Sequence, residues 1–226
     1  MLNDGVCPPE VNMARDCDLF DAFTRRQIPP TLRVYQWALP AITYGVNQQL
    51  PTRVVEACQQ LGIPLFRRPT GGKAVLHGHD LTVSLVWQPA QTRLYPRQVY
   101  LQLAPVLIEA FRRLGVPAAQ GNAPAPDPRS HKDGGDCFAV PAIADIVHAE
   151  TGTKLVGCAL LVRDSAVLMQ ASIPLYLPNV PVEQIFGHPH PAPPPMNTPS
   201  LIDALYHALQ EKLFRGSKPP AYSPRR

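Results

Sequence analysis

The 226-residue sequence contains no uninterrupted apolar run of about 18 residues, the length a helix needs to cross a bilayer, so no membrane-spanning segment is expected. Met1-Leu2-Asn3-Asp4-Gly5 lacks the basic-then-apolar pattern of a secretory signal, so none is expected there either. Cysteine is sparse: Cys7, Cys17, Cys58, Cys137 and Cys158 are scattered, odd in number, and form no Cys-x-x-Cys. That argues against a disulfide framework and for reduced thiols in a cytoplasmic protein. Excess charge of one sign is also scarce. A formal net charge of +4 is too small to argue for nucleic acid, though it suits an acidic protein partner drawn in by long-range attraction. Internal repeats are absent. The length allows one substantial core.

Apolar positions Val11, Ala14, Leu19, Ala22 and Phe23 recur at helical spacing over residues 11–25. Residues 31–37 and 41–46 alternate like paired strands around Leu39-Pro40. Pro51 can open a helix that runs to Leu61 and stops at Gly62. Strands follow over 64–68, 73–77 and 81–87, then a helix from Pro96 to Leu114 that Pro105 is expected to interrupt and kink. Residues 120–136, rich in Gly, Pro and Asp, read as a mobile loop. Strands over 143–148, 154–163 and 166–175 come next, the last two joined by a tight turn at Asp164-Ser165. Interspersed helices and locally paired strands predict an α/β (α+β) fold with helices packed on a sheet. The expected organisation is a domain over 1–186, a proline-rich linker or extended wrap over 187–199, a helix over 200–215 packed on the domain, and a disordered basic tail over 216–226.

Within this frame, Leu65-Phe66-Arg67-Arg68-Pro69-Thr70-Gly71-Gly72-Lys73-Ala74-Val75-Leu76-His77-Gly78 stands out. An apolar run ends in two arginines, a Thr-Gly-Gly turn follows, and a second apolar run ends in His-Gly. Read as a hairpin, its tip offers backbone N–H groups beside positive charge, which suits a carbonyl oxygen or a phosphate. A nucleotide phosphate loop is rejected, because Arg67 stands where that pattern needs glycine and Ala74 where it needs Ser or Thr. A metal site at His77-x-His79-Asp80 could draw on His131, Asp133 or His148, but no second spaced pair supports it, so no metal is expected. His188-Pro189-His190 reads as a solvated part of the linker.

Arg67-Arg68-x-Thr70-Gly71-Gly72-x-Ala74-Val75-x-His77 resembles the signature of the lipoate–protein ligase and octanoyltransferase family, which includes the biotin ligase catalytic domain. Asn12-Met13-Ala14-x-Asp16 resembles that family's opening helix, and Pro30 to Trp37 with Gly45 its first hairpin. Lys154-Leu155-Val156-Gly157-x-Ala159 resembles its Lys-x-x-Gly-x-Ala motif, and Ser172-Ile173 the end of the strand that follows. The blocks span about residues 11–177, in the family's order. The resemblance implies a mixed central sheet flanked by helices. Cys137-Phe138-Ala139-x-Pro141 followed by Asp145-Ile146-Val147 resembles the branch that transfers octanoate through a cysteine.

On this resemblance Cys137 is the nucleophile and Lys154 its partner at the acyl carbonyl. Arg67, Arg68, Thr70, Gly71, Gly72, Ala74, His77, Gly157 and Ala159 form or shape the substrate pocket. His77 either takes part in proton transfer or closes the hairpin. Val75, Leu85 and Val156 are expected to help line an acyl tunnel. The implied reaction moves an octanoyl or lipoyl group from acyl carrier protein to a lysine of a lipoyl domain or of glycine cleavage H protein, with no cofactor, nucleic acid or membrane. Two alternatives stand beside it: an ATP- and Mg-dependent lipoate ligase working through an acyl-adenylate, and a non-catalytic carrier-binding protein. The chain departs from the family's usual residues at Lys73, Val83, Cys158, Leu160 and Gln170-Ala171, which alters pocket walls and makes Cys158 a second candidate thiol near the pocket.

Overall fold

The structure, a computed structural model, describes residues 1–90, 95–121, 135–141 and 145–214. Most of the expected loop over 120–136, the start of the strand expected at 143 and the whole basic tail lie outside these residues, as do His131 and Asp133.

The chain opens with β1 (Leu2–Cys7), α1 (Pro9–Thr24), β2 (Thr31–Trp37), β3 (Ala41–Tyr44) and α2 (Thr52–Leu61). It continues through β4 (Leu65–Arg67), β5 (Val75–His77), β6 (Asp80–Trp87), α3 (Pro96–Arg113), β7 (Ala118–Gln120) and β8 (Ile146–His148). The last elements are β9 (Lys154–Arg163), β10 (Ala166–Pro174), α4 (Val182–Phe186) and α5 (Thr198–Lys212). Seven strands form one mixed sheet in the order β1-β2-β6-β10-β9-β8-β7, and three form a second in the order β4-β3-β5. The β9–β10 hairpin turns at Asp164 and Ser165, both with positive φ (50° and 67°), as a tight turn between twisted strands requires.

Alternation along the strands gives the large sheet two unlike faces. Leu81, Val83, Leu85, Met169, Ala171 and Ile173 point to one side and form the main core with α3 and α5. Asp80, Thr82, Ser84, Gln170 and Ser172 point to the other and are buried too. α3 runs through Pro105 without ending there, because that residue lies on its exposed side. α2 and α4 cover the small sheet, with Ile42, Val54, Leu76, Ile185 and Phe186 between them.

The two hairpins expected over residues 31–46 and 64–77 are absent. β2 already has β1 on one edge and β6 on the other, so no edge is left for β3, which enters the second sheet after Pro40. β4 and β5 do not pair with each other either. β3 lies between them, parallel to β4 and antiparallel to β5. The connection is too wide for a hairpin turn because it wraps around a side chain, the buried guanidinium of Arg68. This group donates to the carbonyls of Gly71 (2.7 Å from Nη2), Lys73 (2.7 Å) and Thr43 (3.0 Å).

The face of α1 also differs from expectation. Ala14 is exposed, and the buried stripe is Asn12, Asp16 and Phe20. Two of these are polar because Arg33, with 0% exposure, lies beneath them. Arg33 Nη1 donates to Asp16 Oδ1 at 2.7 Å, Nη2 to Asn12 Oδ1 at 2.8 Å, and Nε to Asp4 Oδ2 at 2.7 Å. The last contact ties β1 into the sheet, where its Asn-Asp-Gly sequence gives no strand signal.

Candidate active site

A cavity spanning about 390 Å³, part of it open to solvent, lies between the polar face of the large sheet and the small sheet. Cys137, Gly157 and Ala159 line it, together with Arg68, Gly72 and His77. Met13, Trp37 and Val75 give it an apolar wall. Leu85 and Val156, expected in that wall, project to the opposite face and belong to the main core. Strand parity sends them there, since Leu85 follows Ser84 and Val156 precedes Gly157.

Cys137 is held by the backbone. Its N–H donates to Ala74 O at 2.8 Å, and the Ala74 N–H donates to Gly135 O at 2.9 Å. Ala74 is therefore the anchor on which the cysteine segment docks. Gly157 leaves room for the thiol: a Cβ there would lie 3.3 Å from Cys137 Sγ and 3.0 Å from the Phe138 ring. Lys154 Nζ donates to Cys137 O at 2.9 Å and reaches Sγ at 3.3 Å, while pairing with Asp145 Oδ2 at 2.8 Å. Burial alone would discharge this lysine, but Cys137 and Asp145 outweigh it and hold its pKa above the usual lysine value. The ammonium is thus a fixed positive charge beside the sulfur. Cys158 touches the same cavity, but burial first, then Asp145 and Cys137, push its thiol well above the ordinary cysteine range. It stays protonated and is a weak nucleophile. Cys58 is buried in the second core with its thiol raised to about 11, and is inert for the same reason.

The glycine turn is fastened from both sides. Arg68 holds the Gly71 and Lys73 carbonyls from within, and burial brings its pKa down to about 10. The Gly71 N–H points to Leu160 O at 3.4 Å, so it is not directed at a ligand as the sequence suggested. Gly72 has φ +86°, and a Cβ there would meet Arg68 Nη2 at 3.0 Å. Thr70 does not line the cavity. Its hydroxyl donates to Gln170 Oε1 at 2.8 Å, and Gln170 Nε2 donates to Asp16 Oδ2 at 2.7 Å. Tyr35 donates to the same carboxylate oxygen at 2.8 Å. Burial and Asp16 raise its pKa, which keeps it a donor. Arg67 is exposed on the outside of the small sheet, 5.4 Å from the centre of the Tyr44 ring, and is not among the cavity residues.

His77 has no nitrogen to offer a substrate. Nδ1 lies 2.8 Å from Asp80 Oδ2, Nε2 lies 2.9 Å from Thr43 Oγ1, and the ring stacks on Trp37 at 3.9 Å. Burial opposes the charge on Asp80, yet His77, His79 and Ser172 hold its pKa at about 2. Both ring nitrogens are thus engaged within the chain, Nδ1 with the Asp80 carboxylate and Nε2 with the Thr43 hydroxyl. His77 therefore closes the β5–β6 connection. Among the described residues no group of three or more His, Cys, Asp or Glu side chains could hold a metal ion.

Two contributors were not assigned to the site from the sequence: Asp136, and His190, which was read as solvated linker. Asp136 is 1% exposed, and His190 Nε2 lies 2.7 Å from its Oδ2. The His188-Pro189-His190 segment is thus not a solvated linker at His190, whose side chain is 5% exposed. Fifty-four positions separate the pair, beyond the reach of any local pattern.

Known proteins share this architecture. A protein from T. acidophilum with bound lipoic acid superposes with a TM-score of 0.69 at 20% identity, over 95% of this chain and 86% of that one. A lipoate-protein ligase A bound with ATP gives 0.66 at 20% identity, with the same coverage. In sequence, octanoyltransferase LipM of Geobacillus kaustophilus is 32% identical over 200 residues, covering 84% of this chain and 69% of that protein. The LipM of Moorella thermoacetica is 36% identical over 180 residues, covering 78% of this chain and 65% of its own length. The chain thus spans about two thirds of the length of these relatives. The family model for the lipoyl protein ligase A/B catalytic domain matches residues 8–213, and the chain belongs to that family.

Proposed function

We propose that this protein transfers an octanoyl group to a protein lysine through a thioester on Cys137, as an octanoyltransferase of protein lipoylation. The observation that carries the reading is the buried ammonium of Lys154, 3.3 Å from the sulfur of Cys137, a residue that lines the cavity. Similarity to octanoyltransferases at 32% and 36% identity supports the same choice within the family.

In the first half-reaction the Cys137 thiolate attacks the carbonyl carbon of an acyl thioester on a carrier protein. The carbonyl oxygen takes negative charge, and Lys154 Nζ is the donor beside it. The C–S bond to the carrier breaks, its thiolate takes up a proton, and the acyl group remains on Cys137. In the second, the neutral ε-amine of an acceptor lysine attacks the enzyme thioester. The amine loses a proton as the Cys137 thiolate leaves, and an amide is formed. One thioester replaces another and then yields a more stable amide, so the sequence needs no ATP. The donor is acyl carrier protein, and the acceptor a lipoyl domain or glycine cleavage H protein.

The acyl chain lies in the cavity against Met13, Trp37 and Val75. Each buried methylene contributes about 0.8 kcal/mol, so removing two carbons should lower transfer efficiency by roughly an order of magnitude. Arg68, with its donors on carbonyls of this chain, shapes the turn and is not available to grip a triphosphate. The test is octanoyl transfer from octanoyl-acyl carrier protein to a lipoyl domain without ATP. Wild type should transfer. Cys137→Ala should lose at least about 1,000-fold while melting within a few degrees of wild type, because its segment lies outside both main cores. Normal transfer by Cys137→Ala, or a strict need for ATP, would overturn the reading.

A further inference from the structure

We infer that His190 is a positioning residue for Cys137, acting through Asp136, and that the proline-rich segment 187–199 is a fixed strap clamping the nucleophile. This rests on the reading of Cys137 as nucleophile.

The cysteine segment is gripped on two sides. On one, the backbone of Ala74 takes the Cys137 N–H and donates to Gly135 O. On the other, the Asp136 side chain does the holding. Its Oδ1 accepts the Phe138 N–H at 3.1 Å, bracketing Cys137 between its two neighbours. Its Oδ2 faces His190 Nε2 at 2.7 Å and His188 Nε2 at 3.5 Å. A carboxylate so buried persists only with a partner that compensates the loss of water, and the strap supplies it.

The strap itself is anchored. α4 places Val182, Ile185 and Phe186 in the second core, and Arg53 Nη2 donates to Phe186 O at 2.7 Å. Gly187 then turns the chain with φ +85°. The His190 ring lies 6.1 Å from Phe186, stacked at 12°, and 6.0 Å from Phe138. Pro189, Pro191 and Pro193 restrict the backbone on both sides, so little entropy remains to be lost in holding the ring there. Without the His190 donor, the buried Asp136 Oδ2 would keep only His188 Nε2, at 3.5 Å, and would be under-compensated. Its movement toward water would release the Phe138 N–H and shift Cys137 away from Lys154. A displacement near 1 Å at a reacting atom lowers turnover by about 100-fold.

Two full-length variants separate the hydrogen bond from the packing. His190→Phe keeps a ring between Phe138 and Phe186 but removes the donor. His190→Gln loses the ring but keeps an amide N–H at the Nε2 position. Steady-state octanoyl transfer should show kcat for His190→Phe down by about 10- to 100-fold with KM for the acyl donor within about twofold. His190→Gln should recover to within about threefold of wild type. Hydrogen exchange gives a readout independent of chemistry: the Cys137 and Phe138 amides should exchange at least about tenfold faster in His190→Phe, with α3 and α5 unchanged. Should His190→Phe not fold, His190→Asn, whose amide ends short of Nε2, replaces it with the same expectations. Unchanged kcat in the donor-less variant, or equal loss in His190→Gln, would overturn the proposal. If wild type transfers nothing, the functional reading fails instead, and the exchange arm still decides whether the clamp exists.

Discussion

The two faces of the seven-stranded sheet are equally buried and differently made. The face toward α3 and α5 is apolar and redundant, with many side chains doing the same work. The face toward α1 and the small sheet carries Arg33, Tyr35, Asp80, Thr82, Gln170 and Ser172, each with a specific hydrogen-bond partner. Apolar burial is non-directional and tolerates exchange, whereas a buried polar network fixes each member's position and fails if one is lost. The cavity and Cys137 lie on the second face. Stability is thus drawn mainly from one side of the sheet and geometry from the other.

Arg33→Met tests the network most severely. It leaves Asp16 buried without its cation and Asp4 with Arg15 alone, and urea unfolding should show a loss of about 3–5 kcal/mol. Because Asp16 also holds Tyr35 and Gln170, octanoyl transfer by the remaining folded protein should fall as well. Leu85→Ala is the counterpart on the apolar face. Stability should drop by about 2–5 kcal/mol through the cavity left behind, with kcat of the folded enzyme unchanged at 25 °C. An equal loss of turnover in Leu85→Ala would erase the distinction between the faces.

A smaller effect comes from His79, which is buried with Nδ1 lacking a hydrogen-bond partner among the described residues and its pKa pushed down to about 4, chiefly by burial. The unfolded chain binds a proton at this ring below about pH 6.5 that the folded chain refuses until about pH 4. The sign is therefore a loss of stability as pH falls through that window, with full stability above it. His79→Phe should flatten the decline by an amount on the order of 2 kcal/mol, read from urea midpoints between pH 7 and pH 4. A parallel decline in both proteins would place the acid sensitivity elsewhere.

The strands of the apolar face were legible in the sequence because strand alternation and helix-ending glycines are local signals, although Leu85 and Val156 were assigned to the wrong side of the sheet. The 166–175 strand, the turn at Asp164-Ser165 and the helix stop at Gly62 all follow from near neighbours. The polar face was not legible by the same means. Asn12 and Asp16 look like the solvent side of α1 until Arg33 is brought beneath them, and β1 looks like a turn until Asp4 meets Arg33. The Thr-Gly-Gly segment resembled a hairpin because nothing local shows that Arg68 folds back into it. At the site, motif resemblance brought Cys137, Lys154, Gly157 and Arg68 together; Cys137, Gly157 and Arg68 line one cavity, and Lys154 Nζ reaches the Cys137 sulfur behind it. It also included Arg67, which faces outward, and His77, whose nitrogens are both engaged. His190 was dismissed because proline-rich composition reads as solvated chain, whereas here it stiffens a strap.

The most direct measurement is the intact mass of the wild-type chain after incubation with octanoyl-acyl carrier protein and no ATP. The expected result is one octanoyl adduct, removed by hydroxylamine, mapping to Cys137 and missing from Cys137→Ala. An adduct that persists in Cys137→Ala, or one that forms only when ATP is added, would contradict a Cys137 thioester as the intermediate.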